Sequence, residues 1–69
     1  MFEAHYRIEE GYYDGRALRS MWRKTRVTIP LQATKLESAW AEEPEVRNQL
    51  YRASTYPVPI VVLEKILEV

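Results

Sequence analysis

Phe2-Glu3-Ala4-His5-Tyr6-Arg7-Ile8-Glu9 alternates apolar and polar side chains at every step. A period of two marks a strand with one face buried and one face wet. Other elements must therefore cover Phe2, Ala4, Tyr6 and Ile8. Gly11 and the pair Asp14-Gly15 break the pattern. Asp-Gly is a favoured two-residue hairpin turn, because both central positions tolerate positive φ. The expectation is a hairpin with Tyr12 and Tyr13 near its tip.

Working outward, Val27, Ile29 and Leu31 alternate with Arg26, Thr28 and Pro30. This predicts a second strand, and Pro30 places it at a sheet edge or at its own end. Strict pairing through Asp14-Gly15 sets Ile8 opposite Met21 and Tyr6 opposite Arg23. That match is poor and predicts a bulge or break near Trp22. Residues 16–24 read either as the return arm or as a short helix, with Ala17, Leu18, Met21 and Trp22 on one stripe.

Thr34 and Glu37 have capping-box spacing, which predicts a helix start carrying Leu36, Ala39 and Trp40. Pro44 lies among Glu42, Glu43 and Glu45. Proline suits a first helical turn, and carboxylates suit the positive end of the helix dipole. A second helix is expected from Pro44, carrying Val46, Leu50, Tyr51 and Ala53, with a single kinked helix as the alternative. Tyr56-Pro57-Val58-Pro59 is extended, because residues before proline avoid helical geometry. Ile60 to Val69 is rich in β-branched residues and predicts a strand, with Val61, Leu63, Leu67 and Val69 on one face and Lys65 as the exception. A final helix is the alternative there.

The fold expected is a small single α+β domain over residues 1–69. An antiparallel sheet, made of the β-hairpin plus the C-terminal strand, packs on one kinked helix or two short helices in the order β-β-α(α)-β. Sixty-nine residues without a cysteine allow neither a disulfide nor a Cys-ligated zinc site. A chain this short buries only roughly 60% of its unfolded surface. Its stability rests on tight packing, a partner chain, or both. No apolar run approaches the ~20 residues a membrane span needs. The N-terminal residues lack a secretory pattern, so the expected setting is cytoplasmic.

Net charge is zero, yet residues 1–10 carry −2, residues 11–35 carry +5 and residues 36–69 carry −3. The basic middle interleaves aromatic residues with cations. Tyr, Trp and Arg are the side chains that dominate protein contact hot spots. Cations beside aromatic faces also suit nucleic acid. The partner-binding residues expected are Tyr12, Tyr13, Arg16, Arg19, Trp22, Arg23, Lys24 and Arg26. A third reading has Met21 and Trp22 in the core while the arginines pair with Glu3, Glu9 and Glu10.

Catalysis is not expected. His5 is the only histidine, set on a polar strand face beside Glu3 and Arg7. Ser20, Ser38 and Ser54 stand in no nucleophile-elbow context, and two glycines make no phosphate-cradling loop. Glu9-Glu10 and Glu42-Glu43 read as solvated pairs. No cofactor or metal is expected.

Lys24-Thr25-Arg26-Val27-Thr28-Ile29-Pro30-Leu31, followed by a capped helix and a second helix, resembles the ribbon–helix–helix repressors. The resemblance covers about half the chain. It implies a dimer whose paired strands enter the DNA major groove, with Arg26 and Thr28 on bases and the second helix start on phosphate. Glu42-Glu43-Pro44-Glu45 departs from that family's turn, and the residues before Arg23 and after the helices have no counterpart. Arg26 to Pro30 also resembles the swapped-hairpin regulators, without the glycine-containing hairpin that should follow.

Three roles emerge. The first is a small regulatory protein that binds and blocks a host enzyme or nucleoprotein complex, in the manner of many phage or mobile-element proteins. The second is a dimeric DNA-binding regulator. The third is an assembly subunit whose C-terminal strand joins a neighbour's sheet.

Overall fold

The computed structural model describes residues 1–11, 23–55 and 58–69. Four elements follow in chain order: β1 (Phe2–Gly11), β2 (Arg23–Leu31), α1 (Leu36–Ala53) and β3 (Val58–Glu68). The strands form one antiparallel sheet in the order β2-β1-β3. The expected α+β class and element order are present. Asp14-Gly15, the tyrosines of the expected tip and the alternatives for 16–22 lie outside the described residues, as do Tyr56 and Pro57.

β1 is the middle strand, so its alternation governs both neighbours. Phe2, Ala4, Tyr6 and Ile8 turn to one face and are buried. β2 meets them with Leu31 opposite Phe2, Ile29 opposite Ala4 and Val27 opposite Tyr6. The pairing departs from strict Asp-Gly register, whose poor match gave the expectation of a bulge or break near Trp22: Tyr6 faces Val27 and Ile8 faces Thr25, while Trp22 itself lies outside the described residues. The cause is apolar matching. Sliding β2 back to the Asp-Gly register would set Arg23 and Thr25 against Tyr6 and Ala4 on the covered face.

β3 pairs with the other side of β1, Val61 opposite Ile8 and Leu63 opposite Tyr6. The register then shifts, so that Lys65 faces His5 and Ile66 faces Ala4. Glu64 is the extra residue of a bulge, and it reverses the side-chain alternation beyond it. The predicted strand is present, but its predicted apolar face is corrected. Val61 is buried and Leu63 and Ile66 pack on the core, whereas Leu67 and Val69 are exposed. Lys65 is no exception to the pattern; it marks where the pattern changes sides.

α1 covers the apolar face. Ala39, Glu43, Val46 and Leu50 lie at i, i+4, i+7 and i+11, one stripe of a helix. The expected capping box does not form. Lys35 is the N-cap, in extended geometry and without a side-chain cap, and its carbonyl accepts from the Ala39 N–H at 2.9 Å. Glu37 still sits in the first turn, where its charge suits the dipole. Pro44 does not start a second helix but lies within α1. Its ring is exposed, and the Trp40 carbonyl that loses an N–H partner belongs to an exposed residue, where water can replace the bond.

The two glutamates before Pro44 are structural, which corrects their reading as a solvated pair. The Glu42 carboxylate accepts the Gln32 N–H through both oxygens, at 3.0 and 2.9 Å, and ties α1 to the end of β2. Glu43 is 4% exposed. Tyr6, with no exposure, donates its hydroxyl to the Glu43 carboxylate at 3.3 Å and reaches the Glu43 carbonyl at 3.5 Å. Arg47 pairs with the same carboxylate at 3.4 Å. Burial, then the Glu43 charge, holds the Tyr6 phenol well above the ordinary tyrosine range.

Two predictions test this packing. The bulge places Ile66 inward and Leu67 outward, so Ile66→Asp should cost more than ~2 kcal/mol in urea unfolding and Leu67→Asp less than ~0.5 kcal/mol. Equal costs would remove the bulge. Tyr6 favours its protonated form in the folded state, so its contribution is complete below its unfolded pKa of about 10 and is lost as pH rises above it. Tyr6→Phe should therefore flatten the loss of stability above pH 10, measured as urea midpoints across the alkaline range.

Candidate interaction surface

One face of the sheet carries α1, and the other carries no element among the described residues. On that open face the middle strand shows Glu3, His5, Arg7 and Glu9. β2 shows Lys24, Arg26, Thr28 and Pro30, and β3 adds Ile60, Val62 and Lys65, with the bulge residue Glu64 beside them. Of the expected partner-binding residues, Tyr12, Tyr13, Arg16, Arg19 and Trp22 lie outside the described residues. Arg23, Lys24 and Arg26 are exposed on β2, an edge strand. Lys24 and Arg26 turn to the open face, while Arg23 alternates to the helix side opposite Glu10.

Register explains the contacts. Lys24 stands opposite Glu9 and pairs with it at 3.6 Å. Arg26 stands opposite Arg7, an unfavourable like-charge pair, and reaches Glu64 on β3 at 3.2 Å. The bulge supplies that carboxylate. Arg7 keeps a buried Nε without a hydrogen-bond partner. It lines a shallow groove of about 320 Å³ together with Lys24, Thr25 and Arg26. A second depression of about 440 Å³ lies beside it, lined in part by His5, Arg26, Thr28, Glu64 and Lys65.

His5 bridges Glu3 and Thr28. Its Nε2 is 3.0 Å from the Glu3 carboxylate and its Nδ1 is 3.4 Å from the Thr28 hydroxyl. A carboxylate only accepts, so the neutral ring carries its proton on Nε2 and Nδ1 accepts from Thr28. The order hydroxyl, imidazole, carboxylate has the form of a nucleophile–base relay. Acyl transfer also needs donors aimed at a developing oxyanion. Strand N–H groups lie in the plane of the sheet and not above it. Sequence reasoning placed His5 beside Glu3 but missed Thr28, because that neighbour depends on the β1–β2 register. Among the described residues no group of three or more His, Cys, Asp or Glu side chains could hold a metal ion.

The two free edges differ. Val69 and Met1 exchange hydrogen bonds, Val69 N–H to the Met1 carbonyl at 2.8 Å and the Met1 amino group to the Val69 carbonyl at 3.4 Å. Odd-numbered β1 residues thus aim their peptide groups at β3, and even-numbered ones at β2. On β3 this sends Pro59, Val61 and Leu63 to the free edge and, beyond the bulge, Ile66 and Glu68. Pro59 has no donor, Tyr51 of α1 accepts the Val61 N–H at 3.3 Å and the bulge at Glu64 interrupts the run, while no described residue takes up the Leu63, Ile66 and Glu68 N–H groups. On β2 it sends Lys24, Arg26, Thr28 and Pro30 outward. Only Pro30 lacks a donor, and no described residue takes up the other three N–H groups.

The chain matches no family model, no curated protein and no solved structure. No helix among the described residues is long and apolar enough to cross a membrane. The ribbon–helix–helix architecture is not present: β2 pairs with β1 of its own chain, and a single helix follows it.

The open-face ion pairs are exposed and should be weak. A double-mutant cycle on Arg26→Ala and Glu64→Ala should give a coupling below ~1 kcal/mol that shrinks with added salt. A larger, salt-insensitive coupling in thermal unfolding would show Arg26 committed to its own sheet.

Proposed function

We propose that this chain is a non-catalytic binding protein that docks on another protein, in the manner of a small regulatory inhibitor. One observation carries the reading. The basic edge strand β2 presents main-chain donors that no described residue takes up, beside a sheet face that no described element covers, and Lys24 and Arg26 project there in weak ion pairs. Such an edge offers main-chain hydrogen bonds for affinity and side chains for specificity. The aromatic and basic segment Tyr12 to Trp22 joins the same strand in sequence and is proposed as part of the surface.

The alternatives draw less support. A duplex binder presents a field of one sign to the phosphates. Here Glu3, Glu9 and Glu64 lie among Arg7, Lys24, Arg26 and Lys65, and a phosphate chain crossing this face would meet carboxylates. Assembly through β3 requires a continuous free edge, and Pro59, Tyr51 and the Glu64 bulge interrupt that edge.

The test is affinity capture on the immobilised chain with lysate of its native cell, beside gel retardation of duplex DNA at low salt. The expected result is one stoichiometric protein partner, lost about tenfold or more on joint Lys24→Glu and Arg26→Glu substitution, and no retarded DNA. DNA binding with a steep salt dependence and no captured protein would overturn the reading.

A further inference from the structure

We propose that the free edge of β2, from Lys24 to Thr28, accepts an extended acidic segment of a partner protein as a fourth strand of the sheet. This rests on the protein-binding reading and specifies the chemistry of the partner. The edge N–H groups of Lys24, Arg26 and Thr28 alternate with inward-pairing residues, as a strand template requires. Pro30 ends the run of donors. On the β3 edge Pro59, the Tyr51 cap and the bulge break the donors into short pieces, so β2 offers the longer unbroken run.

Charge sets the sequence of the occupant. Side chains opposite Lys24 and Arg26 would stand on the open face, two residues apart in the incoming strand. Carboxylates there meet two cations whose side chains are 69% and 79% exposed and whose ion-pair partners among the described residues are Glu9 and Glu64. An incoming carboxylate beside Arg26 also relieves its like-charge contact with Arg7. The intervening residues fall on the helix side, beside Thr25 and Val27. Val27 and Ile29 are only partly buried there, so β-branched residues would extend the core. The occupant is therefore a segment of alternating acidic and β-branched residues. A second copy of β2 fits poorly, because antiparallel pairing centred on these donors sets the two Arg26 side chains against each other.

The probe is a peptide of alternating glutamate and valine, with an alternating lysine and valine peptide as control. Binding is read by fluorescence anisotropy and by amide hydrogen exchange of the labelled full chain. The glutamate peptide should slow exchange at Lys24, Arg26 and Thr28 by about tenfold or more and leave Leu63 and Ile66 unchanged. Thr28→Pro removes the outermost donor at a position equivalent to Pro30, so the fold should persist, shown by an unchanged amide spectrum. Its affinity should fall about tenfold or more. Joint Lys24→Glu and Arg26→Glu substitution should transfer binding to the lysine peptide. Protection on β3, equal binding of both peptides by the native chain, or full affinity of folded Thr28→Pro would overturn the proposal. If a captured cellular partner still binds Thr28→Pro, strand addition at β2 fails while protein binding stands. If no protein is captured, the protein-binding reading fails on its own account.

Discussion

An antiparallel middle strand couples two directions that sequence analysis treats separately. Each β1 residue that turns its side chain to α1 also turns its peptide group to β2, and its neighbours do the opposite. The apolar choice at Phe2, Ala4, Tyr6 and Ile8 therefore does more than bury a face. It fixes the register of β2 through Leu31, Ile29 and Val27, and it decides which backbone groups of both outer strands are left at the edges. The two strand prolines obey this coupling. Pro30 and Pro59 both stand where the missing N–H points away from β1, so neither removes a ladder bond.

The weakest hydrophobic link is the helix. Its buried stripe is short and includes a carboxylate, Glu43, where an apolar residue would serve better. A buried charge is costly unless its oxygens are satisfied, and the Tyr6 hydroxyl and Arg47 guanidinium provide that. The arrangement is sensitive to position. Moving α1 by one turn along the sheet would separate Glu43 from Tyr6 and strand the carboxylate. The pair contributes more to the placement of α1 than to net stability. Glu42, fastened to the Gln32 N–H, fixes the same placement from the end of β2.

These features divide by range. The three strands were legible because a period of two is a local signal, written in Phe2 to Glu9, Val27 to Leu31 and Ile60 to Val69. The β1–β2 register was not, because Asp14-Gly15 advertises a tight turn while the pairing is decided by apolar contacts on either side of Gly11 and Arg23. The bulge at Glu64 hid for a similar reason. A lysine among alternating apolar residues reads as a single misplaced charge, and only the partner strand shows that the phase has changed. Glu43 was disguised by company, one of three glutamates around a proline. At the candidate surface, composition singled out Arg23, Lys24 and Arg26 but left open whether they face outward or pair internally. It could not separate Arg23 from the other two, since which face each occupies follows from register.

An exposed edge is a hazard as well as an opportunity, and the two edges answer it differently. β3 is the more apolar strand, and its edge is interrupted by geometry: a proline, a tyrosine cap from the helix and a bulge. β2 retains its donors and carries cations, which deter unplanned strand pairing at less structural cost. The deterrent is selective in sign. Lys24 and Arg26 repel a second basic edge, and both cations are exposed enough to meet incoming carboxylates. Geometric interruption shortens the run open to any strand, whereas charge selects among strands by sign. A sheet that interrupts one edge in the first way and guards the other in the second is extended most readily at β2.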